Sequence, residues 1–253
     1  MAFESHVISP SKSHLATGTL ACALLCLLQT ACTSTTPTIA HTHVGHAITG
    51  AHDTPQKDGY FVVAEQRAAE ALKLAEAATA PNQSSAQIAE QLSLVNKEVN
   101  LRSDFPLASA LKEAASHIAF AADSEDSSDN VKRSSRAFSE AIEGVVARAN
   151  LINLYSQDAR ISTSEEETKQ LASEIYKLSQ ANITGQDIDG DGVIGNQVSE
   201  YGMRQLRRDL DALVNREDPA YTTVDRWYLF NLVRLPSGDW LFRKRDSSKA
   251  SSY

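Results

Sequence analysis

The stretch 131-VKRSSRAFSEAIEGVVARANLI-152 carries the longest regular pattern in the chain. Val131, Phe138, Ile142, Val145, Ala149 and Ile152 recur at steps of three, four or seven residues, which places them on one face of a helix. A strand would need alternation, and the charged residues between these positions follow no two-residue rhythm. Gly144 lies inside the stripe. There it either costs the helix about 1 kcal/mol against alanine or marks a place where another segment packs closely.

Similar stripes lie on both sides. Phe61, Ala64, Ala68, Leu72 and Ala75 form one, which Pro81 and Asn82 end. Ile88, Leu92, Val95 and Val99 form a second. Leu107, Leu111, Ala114 and Ile118 form a third, opening after Asp104 and Pro106. The acidic run 123-DSEDSSDN-130 reads as a solvated turn between helices rather than a linker between domains. Further on, Ser164 followed by Glu165, Glu166 and Glu167 predicts a capping box, with acidic residues suited to a helix N-terminus. Leu171, Ile175 and Leu178 give that helix a span of 164–182. Met203, Leu206, Leu210 and Leu213 mark another over 199–214.

No strand is expected before residue 220. The tail 226-RWYLFNLVRLPSGDWLFRKR-245 is aromatic and β-branched around a Pro-Ser-Gly-Asp turn. It reads as a small hairpin with Trp240 packed on its partner strand, or as a helix from Pro219 to Leu235. Either would serve as a lid on the core. The expected fold is therefore all-α: an antiparallel helical bundle with a helix–loop–helix late in the chain and a small C-terminal hairpin or lid.

The 253 residues are 42% hydrophobic and carry a net charge of −8, enough for a buried core and unsuited to a nucleic-acid partner. The leader has its own logic. The uncharged run 15-LATGTLACALLCLL-28 is short for a membrane span and suits the apolar core of a secretory signal; a buried helix is the other reading. Cys22, Cys26 and Cys32 all lie in or next to it, so the folded part is expected to hold no disulfide. The segment 28-LQTAC-32 resembles a bacterial lipoprotein box, although Gln29 stands where an aliphatic residue is usual. That resemblance implies lipidation of Cys32 and a membrane anchor, each buried methylene contributing about 0.8 kcal/mol. Ordinary cleavage after Ala31 is the alternative. The divisions expected are a leader at 1–31, a tether and histidine segment at 32–56, a bundle at 57–160, a helix–loop–helix at 161–216 and an aromatic tail at 217–253. Within the second, 33-TSTTPTIA-40 is the tether.

Chemistry concentrates in two places. In 185-GQDIDGDGVIGNQVSEYG-202, Asp187, Asp189 and Asp191 alternate ahead of Gly192, Val193 and Ile194. This resembles the first eight positions of an EF-hand loop. There, carboxylates at positions 1, 3 and 5 and a carbonyl at 7, here Val193, bind calcium. Ile194 would pack the loop on the core. Position 12 is Val198 instead of the bidentate glutamate, and position 9 is Gly195, so Glu200 must bend back and Asn196 or water must serve. Calcium binding is expected to be weak, because charge and two oxygens are lost at position 12. An acidic turn without metal is the alternative.

The second place is 41-HTHVGHAITGAHDTP-55, which holds four of the seven histidines. On a helix His43 and His46 share a face while His41 points elsewhere. His117, on the helix beginning near Leu107, would add a third ligand for a transition metal or haem. Packed histidines with one hydrogen bond each are the alternative. The chain has no C-x-x-C-H, which excludes covalent c-type haem.

The pieces 42-THVGHAITGAHDTPQKDGYFVVAEQRAAEAL-72 and the aspartate loop together resemble a group of uncharacterised secreted bacterial helical proteins. In these an H-V-x-H segment and a D-T-P turn precede an alanine-rich helix, and an EF-hand-like loop comes late. His43, His46, Asp53, Thr54 and Pro55 match the first pattern; Asp187, Asp189, Asp191, Gly192 and Glu200 match the second. The resemblance implies a fold and no activity. No P-loop, G-x-S-x-G or H-E-x-x-H pattern is present, and no serine pairs interpretably with a histidine and a carboxylate. The function expected is that of a non-enzymatic, exported envelope protein holding calcium, or alternatively of a protein binding a transition metal or haem.

Overall fold

The computed structural model describes residues 38–101 and 104–217, together with the backbone of three short strands between 226 and 242. The leader, Cys32 and the side chain of Trp240 lie outside the described residues. Seven α-helices are described, numbered here in chain order: α1 (Ile39–Ile48), α2 (Tyr60–Ala78), α3 (Ser85–Asn96), α4 (Leu107–Asp123), α5 (Asp129–Ile161), α6 (Glu165–Thr184) and α7 (Met203–Asn215). Among the described residues, none is long and apolar enough to cross a membrane.

The long stripe behaves as its spacing predicts. α5 runs for 33 residues, a rise of about 50 Å, and Val131, Phe138, Ile142, Val145, Ala149 and Ile152 are all buried. Around it pack α3, α4, α6 and α7, while α2 lies against α3, α4 and α6, and α1 covers α4. One core is shared from Ala40 to Leu213, so the helix–loop–helix at 161–216 is built into the bundle. Alanines such as Ala64, Ala68, Ala75, Ala110 and Ala114 line much of it. Small contact residues bring helix axes together toward the short end of the usual 8–10 Å range.

Helix ends follow local chemistry. Ser84 and Gln87 form a reciprocal capping box at α3, with Ser84 N donating to Gln87 Oε1 at 2.9 Å. α3 then widens into a π turn over Lys97–Leu101, where Asn100 reaches the Ala149 carbonyl at 2.5 Å. Ser128 caps α5 by accepting from Val131 N at 3.0 Å.

Several expectations are corrected. At α6 Ser164 Oγ does accept from Glu167 N, but Glu167 turns to the Ser162 hydroxyl at 2.5 Å and Ser164 N donates to Ser162 Oγ, so the box is not reciprocal. Ala71, rather than Leu72, continues the buried stripe of α2. The tether reading of 33–40 overlaps α1, which begins at Ile39 under the cap of Thr38. α6 does not stop at Asn182; it runs to Thr184, and Gly185 N still donates to the Ala181 carbonyl at 2.8 Å at the edge of the loop. The next helix starts at Met203 instead of residue 199, because Val198–Glu200 forms a separate 3-10 turn.

In the tail, β1 (Arg226–Trp227), β2 (Leu232–Arg234) and β3 (Trp240–Phe242) form an antiparallel meander. β2 and β3 pair antiparallel, with Arg234 opposite Trp240, as the hairpin reading expects. The rival helix from Pro219 to Leu235 is excluded where β1 and β2 are described.

Candidate functional site

The aspartate loop is held by backbone contact at both ends. Gly185 takes a φ of +84°, which favours glycine. A Cβ on Gly202 would fall 2.3 Å from Gly185 N, so the two strands of the loop cross where neither can carry a side chain. Gln186 N donates to the Glu200 carbonyl at 2.9 Å, closing the loop. Gln205 braces both sides, donating to the Thr184 carbonyl at 2.9 Å and accepting from Gly202 N at 3.0 Å.

Beneath the loop, Gly144 allows the Val198–Glu200 turn to lie on α5; a Cβ there would sit 2.7 Å from the Ser199 carbonyl oxygen. Close packing is thus the reason for this glycine. Buried Arg148, one turn further along α5, donates to Asn182 Oδ1 at 3.0 Å and to the Tyr201 carbonyl, joining α6 to the loop's exit. Burial lowers its pKa to about 10, still well above neutrality.

Within this frame each aspartate accepts from the backbone. Asp187 takes Gly190 N at 2.7 Å and Gly192 N at 2.9 Å. Asp189 takes Asp191 N at 3.1 Å and the Gln197 amide at 2.6 Å. Asp191 takes Val193 N at 2.7 Å and the Asn196 amide. Glu200 is fully buried and does bend back: its carboxylate accepts from Ile188 N at 3.1 Å and Gly195 N at 3.0 Å. Burial alone would raise its pKa, but backbone N–H groups, those of Gly195 and Ile188 foremost, bring it below the ordinary value. Oxygens of Asp187, Asp189 and Glu200 lie within 4.8 Å of one another.

Asp191 does not join that trio, so of the three aspartates expected as ligands only Asp187 and Asp189 converge with Glu200. Val193 presents an exposed side chain, and Ile194 stays 43% exposed, lying over Gly185 instead of entering the core. Sequence reasoning had no signal for Gln197 or Asn196 as donors to the aspartates.

The histidines converge at a second place. α1 is fixed by Asp126, which accepts from Ile39 N at 2.7 Å and Ala40 N at 3.1 Å, and by Thr38, which accepts from His41 N. His41 indeed points away, to Glu217 Oε2 at 3.2 Å. His43 and His46 face α4 and meet His117: His43 Nδ1 lies 3.2 Å from His117 Nδ1, and the His46 ring centroid is 5.0 Å from that of His117. One nitrogen from each of the three falls within 4.8 Å of the others. Burial, then the neighbouring imidazoles, lowers the pKa of His46 and brings that of His117 to about 4, so His117 is neutral near pH 7 with a lone pair to offer.

Tyr60 completes this corner. Its ring stacks on His117 at 5.1 Å and 19°, and its hydroxyl is shared between the Asp53 oxygens at 2.8 and 2.7 Å. Burial and the Asp53 carboxylate raise the pKa of the phenol. Tyr60 was legible in the sequence only as the start of an apolar helix.

Comparison with known proteins finds no matching family, no matching curated protein and no matching solved structure.

Proposed function

We propose that this chain is a non-enzymatic helical protein whose α6–α7 connection is clipped by one calcium ion. The supporting observation is Glu200. It stands two residues beyond the position where an EF-hand supplies its acidic ligand, yet it is buried and turned toward Asp187 and Asp189. The backbone donors that hold Glu200 ionised keep three carboxylates charged at this range, which is the charge and the oxygen set a divalent cation takes. Asp187, Asp189 and Glu200 would supply side-chain oxygens and Val193 a carbonyl. Binding would fasten the end of α6 to the start of α7, a structural role.

A loop with this few carboxylates fits the 10⁻⁴–10⁻³ M range of extracellular calcium modules. Export by the leader and anchoring through Cys32 belong to the same proposal, since that is where such calcium is found.

The test is a thermal melt of the purified protein, stripped with chelator and then titrated with calcium. At a hundredfold excess over Kd the native state gains about 2.7 kcal/mol, which raises Tm by about 5–10 °C for a domain of this size. Asp187→Ala with Asp189→Ala, and separately Glu200→Gln, should abolish the rise. No rise at about 10 mM calcium, far above the range for such modules, rejects the reading.

A further inference from the structure

We infer that His43, His46 and His117 form a transition-metal site, separate from the aspartate loop, that takes a first-row divalent cation such as Zn²⁺ or Co²⁺ through three imidazole nitrogens. The inference does not rest on the calcium reading. Its first support is distance. With Zn–N bonds of 2.0–2.1 Å in tetrahedral geometry, two ligand nitrogens stand about 3.3 Å apart; His43 Nδ1 and His117 Nδ1 are 3.2 Å apart. His46 belongs to the same group: one nitrogen from each of the three rings lies within 4.8 Å of the other two.

The second support is number. A hydrogen bond between two neutral imidazoles satisfies one N–H and one lone pair, and needs only His43 and His117. It leaves His46, edge-on to both rings at 6.0 Å from His43 and 5.0 Å from His117, as a third imidazole that this bond does not use. Three imidazoles brought together from two separate helices supply the ligand number of an open zinc site. The donor type also decides the metal: imidazole suits zinc, cobalt, nickel and copper, whereas calcium and magnesium take oxygen.

The third support is the surroundings. The Tyr60 ring fixes the plane of His117 from one side, and Phe120 packs against His43 at 5.6 Å and His117 at 5.9 Å. Asp53 accepts from the hydroxyl of the Tyr60 whose ring stacks on His117, so a carboxylate anchors the residue that orients this ligand. Three protein nitrogens leave a fourth position for water or an exogenous ligand, the arrangement of an open rather than a closed zinc site.

The experiment is a Co²⁺ titration of metal-stripped protein in excess calcium, followed by visible absorption. The expected result is one Co²⁺ per chain with the intense bands of tetrahedral cobalt, displaced by Zn²⁺. His43→Gln and His117→Gln should each reduce the band to background, while Asp187→Ala with Asp189→Ala should leave it unchanged. Should a histidine variant fail to fold, Cu²⁺ resonance of the unaltered chain decides, since a three-imidazole site shows nitrogen hyperfine splitting. Wild-type protein that binds no Co²⁺ at micromolar concentration, a band that survives in folded His117→Gln, or a Cu²⁺ signal without nitrogen splitting overturns the assignment.

Discussion

Replacing Gly144 with alanine adds one methyl group where α5 meets the turn that carries Glu200. The new Cβ would lie 2.7 Å from the Ser199 carbonyl oxygen and 3.3 Å from its carbon, whereas ordinary contact begins at 3.4 Å. The turn or the helix must therefore retreat by about 0.7 Å. Two effects oppose each other. Alanine improves helix propensity by about 1 kcal/mol, and overpacking against backbone, which cannot rotate away, costs about 1–3 kcal/mol. The contact wins, leaving a net loss of up to about 2 kcal/mol and a Tm in chelator lower by up to about 8 °C. Because Ser199 precedes Glu200, the same displacement draws the buried carboxylate away from Asp187 and Asp189. Calcium oxygens must lie at about 2.3–2.6 Å, so the calcium-dependent rise in Tm should shrink as well. Paired calorimetric melts in chelator and in calcium measure both quantities. A higher Tm in chelator with an unchanged calcium response would refute the reasoning, since it would show that only propensity matters at this position.

Other predictions concern the buried polar groups. In chelator, acidification should narrow the gap in Tm between the wild type and Glu200→Gln: a carboxyl with a folded pKa below 4.5 stabilises fully above that value and loses its contribution as pH falls through the folded pKa. A gap that is constant or widens toward acid would contradict this. Arg148→Met should cost about 2–4 kcal/mol in a denaturant titration, because Asn182 Oδ1 and the Tyr201 carbonyl lose their buried donor; an unchanged midpoint counts against it. Glu217→Ala should cost about 2–3 kcal/mol and speed amide exchange along α1, since His41, Ser128 and Asn130 all point to that carboxylate. Exchange rates in α1 equal to those of the wild type would show that the helix does not depend on it.

The helices were legible because their core positions repeat. Val131 to Ile152, Leu107 to Ile118 and Met203 to Leu213 were read at helical spacing, and all of those residues are buried. Boundaries were less legible, since they depend on side chains that choose among nearby partners. Glu167 takes the Ser162 hydroxyl instead of the Ser164 amide, and α6 runs past Asn182 to the Gly185 cap, whose N–H reaches the Ala181 carbonyl. At the candidate sites, the residue types were visible but their meeting was not. Nothing in the spacing of His117 from His43 specifies that α1 lies on α4, because that contact is set by shared apolar burial. Glu200 shows the opposite case. The residue was named for its charge, and its inward turn depends on Gly144, Gly185 and Gly202, which admit backbone where a side chain would stand.

The contact between His41 and Glu217 joins residues 176 apart in sequence. It places the start of α1 beside Glu217, two residues past the end of α7, so the first and last described helices meet at one pole of the bundle. The acidic loop precedes α7, whose 13 residues span about 20 Å. A load carried by the His41–Glu217 contact is therefore borne at one pole, and the carboxylates of the loop stand a helix length away from it.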